Sequence, residues 1–140
     1  MEFNTKSIID AITLKMYEIF GDKYNIETGN VKQGFETPCF FVKNYNGNEK
    51  YYRGNRHKKM INFRIIGFSE NDDLNQLNEM TDKLYDLEYI TLQNNDVLRC
   101  INKNHRIEDN TLQFLFDVDC FIYKKSTVEN IKMDNVVVDI

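Results

Sequence analysis

The stretch DNTLQFLFDVDCFIYKK, Asp109 to Lys125, decides how the rest of the chain is read. From Leu112 onward every second residue is apolar (Leu112, Phe114, Phe116, Val118, Cys120, Ile122), the period-two pattern of a strand with one buried face. Between them stand Gln113, Asp117 and Asp119, but also Leu115, Phe121 and Tyr123. A second face that is half apolar is more than a monomer's solvated surface needs, which predicts that something outside the subunit covers it.

Working upstream, Asp96 to Ile107 reads as the partner strand of a hairpin. Leu98 and Cys100 share a face with Val118 and Cys120 only in one register parity, because a one-residue slip swaps the faces. That parity is incompatible with a two-residue turn. The expectation is therefore a three-residue loop, Glu108 to Asn110, with Asn110 left-handed, Arg99 opposite Asp119 and Ile101 opposite Asp117.

Helical spacing of Ile8, Ile9, Ile12, Met16, Ile19 and Phe20 predicts an amphipathic helix from Asn4 to Phe20, capped by Asn4 and ended by Gly21. A short extended piece, Lys23 to Glu27, and a turn-rich run, Thr28 to Thr37, follow. Pro38 opens a strand whose succession Cys39, Phe40, Phe41, Val42 predicts cover on both faces. Ile61, Phe63 and Ile65 mark another strand. Ser69 is the expected cap of a second helix with Leu74, Leu77, Met80, Leu84 and Leu87 as its buried stripe. The fold class is thus α+β: an antiparallel β-sheet with two helices packed on one face. The expected organisation is one domain over 1–125 with a polar arm at 44–59. A C-terminal extension, 126–140, carries Val136, Val137 and Val138, a run with no place left in a single core and suited to strand exchange with a neighbouring subunit.

The 140 residues carry a net charge of −4 with pI near 5.2, a balance that disfavours nucleic acid and anionic membrane as direct ligands. Three cysteines with no CxxC spacing predict reduced thiols and no zinc ribbon. The opening MEFNTKSIIDAITLKMYEIF lacks an uninterrupted apolar core, so neither a signal peptide nor a membrane span is expected. There is no phosphate-binding loop, nucleophile elbow or HExxH. His57 and His105 lack partners at ligand spacing, and Asp117 with Asp119 is read as pairing with Arg99 and other cations rather than as a metal site. No catalytic residue, metal or cofactor is expected.

The sharpest local feature is the run Lys50, Tyr51, Tyr52, Arg53, Arg56, Lys58, Lys59. Interleaved cations and aromatics suit single-stranded nucleic acid, but in a chain acidic overall they favour a solvated loop first and an acidic protein partner second.

The segments QGFETPCFFV, YRGNRHKKMINFRI and LQFLFDVDCFIYKK, within a pattern running from Ile8 to Lys125, resemble the small tail terminator proteins of phages and phage-derived tail particles of Gram-positive bacteria. The resemblance implies a structural protein forming a ring, usually a hexamer, that caps the head-proximal end of the tail tube. Such a ring stops tube polymerisation and joins the tube to neck, collar or sheath, in a virion or tail-like particle assembled in the bacterial host cytoplasm. On that reading Leu115, Phe121, Tyr123 and Val136 to Val138 are subunit-interface residues, and Lys50 to Lys59 form an arm toward a partner. The rival readings are another neck or head–tail completion protein, and a nucleic-acid-binding module using the basic loop.

Overall fold

A computed structural model describes residues 4–124. In chain order these form α1 (Thr5–Phe20), β1 (Asn25–Thr28), β2 (Cys39–Arg53), β3 (Arg56–Phe68), a single 3-10 turn (Glu70–Asp72), α2 (Leu74–Leu84), β4 (Tyr89–Thr91), β5 (Val97–Glu108) and β6 (Thr111–Tyr123). The strands make one six-stranded sheet in the order β1-β2-β3-β6-β5-β4. The α+β class is as expected. The sheet is mixed, because β1 runs parallel to β2 while every other neighbouring pair is antiparallel. Residues 29–38 return the chain to the start of the sheet without a crossover helix, and so leave no periodic signal of a parallel pair.

Both helices cover the same face. Ile8, Ile12 and Met16 of α1 and Leu77, Met80 and Leu84 of α2 join Phe40, Phe63, Ile65, Phe114 and Phe116 in one buried core. Asn4 caps α1 by accepting from the Lys6 N–H at 2.8 Å, and Gly21, at φ 69°, donates to the Tyr17 carbonyl at 2.8 Å. The second cap differs from expectation. Ser69 precedes the 3-10 turn and makes no side-chain cap bond, whereas Asp73 accepts from the backbone N–H groups of Asn75 and Gln76 and starts α2. Leu74 is therefore the first helical residue and stands 54% exposed instead of joining the stripe.

At one end the outer sheet face is closed locally. Phe35, in the segment leading into β2, stacks on Phe68 at 4.4 Å and meets Phe41 at 5.6 Å, so Cys39 through Val42 are buried on both faces, as their succession predicts. Behind them Gly67 lets β3 approach the helices: an added Cβ would lie 3.1 Å from Met80 Cε and 3.3 Å from Leu112 Cδ2 and Phe40 Cδ1.

The β5–β6 hairpin keeps the expected parity but places the extra residue elsewhere. Cys100 faces Val118 and Ile101 faces Asp117. The turn, however, has two residues, Asp109 and Asn110, both left-handed (φ 52° and 59°), and Glu108 pairs with Thr111. A bulge between Ile101 and Asn104, with Asn102 at φ 57°, absorbs the odd residue inside β5. It delivers Lys103 to the C-terminal end of α2. There Nζ lies 3.0 Å from the Tyr85 carbonyl, 3.4 Å from that of Leu87 and 2.9 Å from Glu88 Oε2, where a helix end favours a cation. The ladder between β5 and β6 stops at Cys100 and Val118, short of the expected Arg99–Asp119 pair.

Candidate functional site

Beyond Ile61 and Val118 the sheet outruns its core. The polar segment at 44–59 is not a loose excursion: β2 and β3 continue as strands to a tip at Gly54 and Asn55, and β6 pairs alongside β3 as far as Arg56 and Tyr123. Lys124 donates its N–H to the Asn55 carbonyl at 2.9 Å, tying the end of β6 to the tip. The expected arm is thus a three-stranded blade with two faces.

Register assigns the residues. Bulges in β2 at Tyr45 and Tyr52 turn both tyrosines onto the outer face. There Arg64 lies 4.8 Å over the Tyr45 ring. Arg56 sits 4.4 Å over Phe121, 5.0 Å over Tyr52 and 5.9 Å from Tyr123, and Tyr52 meets Phe121 edge-on at 5.1 Å. Arg53 adds a second guanidinium 5.5 Å from Tyr52. The stacked guanidinium holds three aromatic rings in place, while Tyr52, Phe121 and Tyr123 remain 49%, 42% and 66% exposed. Lys58 extends this face through Asp119 at 3.5 Å.

The opposite blade face gathers charge around Glu49. Its carboxylate meets Lys59 at 3.5 Å, His57 Nδ1 at 3.4 Å and Lys124 Nζ. The hydrogen bond from Lys124, assisted by its charge and by Lys59, holds the Glu49 carboxyl below the usual carboxylate range despite some desolvation. Tyr51, 67% exposed, stands edge-on to His57 on this face.

The structure therefore merges two residue sets that the sequence separates. Tyr52, Arg53, Arg56 and Lys58 share one surface with Phe121 and Tyr123, while Tyr51 and Lys59 face the other way. Lys50, opposite Lys58 in the ladder, makes no ion pair among the described residues. Leu115 is apart, half-buried opposite Arg64. Val136, Val137 and Val138 lie outside the described residues. Glu49 was missed as a hub because its alignment with Lys59 depends on the β2 bulges, which carry no periodic signal.

Where the β5 ladder ends, the strands part. Asp119–Tyr123 keeps β3 on one side and has no ladder partner on the other among the described residues. A cleft of about 330 Å³ opens there, lined by Ile8, Leu92, Leu98, Cys120 and Ile122 among others.

The remaining candidates have local roles. Asp117 accepts hydrogen bonds from the Asn62 and Asn102 amides rather than pairing with a cation as expected. His105 Nδ1 lies 2.8 Å from the Tyr85 hydroxyl. Among the described residues no group of three His, Cys, Asp or Glu side chains could hold a metal, and no helix is long and apolar enough to cross a membrane. Burial pushes the Cys39 thiol up to about 11 and Cys100 up to about 12, so both are protonated at neutral pH.

A search of curated protein sequences finds no match. Among the solved chains that match, one aligns at a TM-score of 0.46 with 8% identity, covering 89% of this chain and 99% of that one. The family model described as "Phage tail terminator protein" matches residues 7–130, and the chain belongs to the phage tail terminator family.

Proposed function

We propose that the protein is a non-enzymatic terminator whose copies form a ring, a hexamer in the form the resemblance implies, on the head-proximal end of a tail tube. The ring stops tube polymerisation and presents a surface to neck, collar or sheath. Family membership makes the chain a structural component of the virion tail; the ring, its place and its partners are our reading. The observation that carries it is the blade. Three strands project past the core with Tyr52, Phe121 and Tyr123 exposed around stacked arginines on one face and Tyr51 exposed on the other. Exposed aromatics and arginine held in fixed rotamers are what protein–protein contacts use to gain affinity at low entropic cost.

The Asp119–Tyr123 edge and its cleft support the same reading, since a free strand edge beside apolar side chains accepts an added strand. We assign Val136 to Val138 of a neighbouring copy to that role. The direct test adds purified protein to polymerising tube protein and measures tube lengths by electron microscopy. A terminator shortens the distribution and appears at one end of each tube; unchanged lengths with no bound density refute the proposal.

A further inference from the structure

The described residues are electrically polar along β3, and the two poles match each other. Near the blade end, residues 46–60 and 119–124 carry six cations (Lys50, Arg53, Arg56, Lys58, Lys59, Lys124) against two carboxylates, Glu49 and Asp119. At the other end of β3 the chain enters Glu70, Asp72 and Asp73. The β5–β6 turn places Glu108 and Asp109 at the same end of the sheet, because Phe68 and Glu108 both pair with Thr111. Glu70, Asp72, Asp73, Glu108 and Asp109 are all exposed there, and of these Glu108 alone is paired, with Arg106 at 3.5 Å. The thirteen residues of β3 separate the poles by roughly 40 Å at about 3.3 Å per residue, well beyond the screening length of about 8 Å at physiological salt. The two poles of one subunit therefore do not neutralise each other.

Several of these charges are unspent. Lys50 and Arg53 make no ion pair among the described residues, and neither do the carboxylates of Glu70 and Asp72; the Glu70 backbone alone is engaged, donating to Gln76. The apolar parts correspond as well: the blade exposes Phe121 and Tyr123, and the acidic end exposes Leu74 beside Asp72 and Asp73. Opposite charges on separate surfaces of one chain favour a head-to-tail contact, the kind that generates a ring when the rotation between copies closes.

Resting on the ring reading above, we infer that the blade of one copy docks on the acidic Glu70–Asp73 end of the next, so that a heterologous basic-to-acidic contact closes the ring. The blade then faces a sister subunit in the ring, and the tube contacts other surfaces.

The test uses two full-length charge-reversed variants, Arg53→Glu with Lys58→Glu, and Glu70→Lys with Asp72→Lys, which leaves the Asp73 cap intact. Sedimentation velocity over a concentration and salt series reads association. Each variant alone should associate at least tenfold more weakly than wild type, because the reversed side chains then meet charges of their own sign in place of opposite ones. An equimolar mixture should recover assembly to within about threefold, because at alternate contacts the reversed positions 53 and 58 meet the reversed positions 70 and 72, and at the others two unaltered surfaces meet. Wild-type association should weaken as salt rises. If wild type forms rings and the acidic-end variant does so equally well alone, or the mixture stays dissociated while each variant melts like wild type, this contact is wrong and the ring stands. If wild type never associates, the ring reading itself fails and takes the contact with it.

Discussion

Replacing Lys103 by methionine should expose how much the β5 bulge contributes. The substitution keeps the apolar stem and removes the ammonium, whose side chain is 14% exposed and bonded to the carbonyls of Tyr85 and Leu87 and to Glu88. Hydrogen bonds from a charged donor are worth about 1.5–3 kcal/mol net, and two carbonyls lose theirs together while solvent recovers part of the loss. The expected destabilisation is about 2–3 kcal/mol, or roughly 6–10 °C in Tm for a domain of this size. Urea denaturation followed by circular dichroism should show a lower midpoint at unchanged slope. The pH dependence separates the cap from a packing effect. The hydrogen bond from Lys103, and then its charge, hold the Glu88 carboxyl below its ordinary value of 4.5. That part of the stabilisation is present above 4.5 and is lost as the pH falls through the depressed value. The gap between wild type and Lys103→Met should narrow on acidification. A loss below about 0.5 kcal/mol, or a gap unchanged down to pH 3, would refute the assignment of Lys103 as the cap of α2.

Other perturbations address the blade and the tail. Phe121→Ala with Tyr123→Ala removes side chains that are 42% and 66% exposed. Covering the remaining roughly 80 and 130 Å² would yield about 2–3 kcal/mol each before the costs of association, so ring formation should weaken at least tenfold while the subunit's Tm moves by no more than about 3 °C; equal association by light scattering would exclude both from the contact. Deleting Val136 to Ile140 should weaken assembly and leave the circular dichroism melt unchanged, and either a lost fold or intact rings would count against strand exchange. Glu49 is held ionised by Lys124 and Lys59, so its contribution is present above 4.5 and disappears as the pH falls through its lower value. Amide resonances of His57 and Lys59 should therefore shift between pH 5 and pH 3 in the wild type, and that acid transition should vanish in Glu49→Gln.

What the sequence by itself determined was whatever depends on near neighbours. Alternation in Leu112 to Ile122 assigned the inner face of β6, helical spacing assigned the buried stripe of α1 and, from Leu77 onward, that of α2, and parity assigned Cys100 to Val118. These follow from the side-chain periods of the two regular backbones, which act within a few residues. Tertiary structure decided where the odd residue of the hairpin went. A three-residue loop and a mid-strand bulge satisfy the same parity, and the bulge brings Lys103 to a helix end 18 positions earlier in the chain, in no periodic relation to it. It also decided that β1 runs parallel to β2, and that Tyr52 and Arg56 meet Phe121, residues more than sixty positions apart in the chain. Those outcomes depend on which distant groups compete for the same partner, a competition that only the assembled sheet resolves.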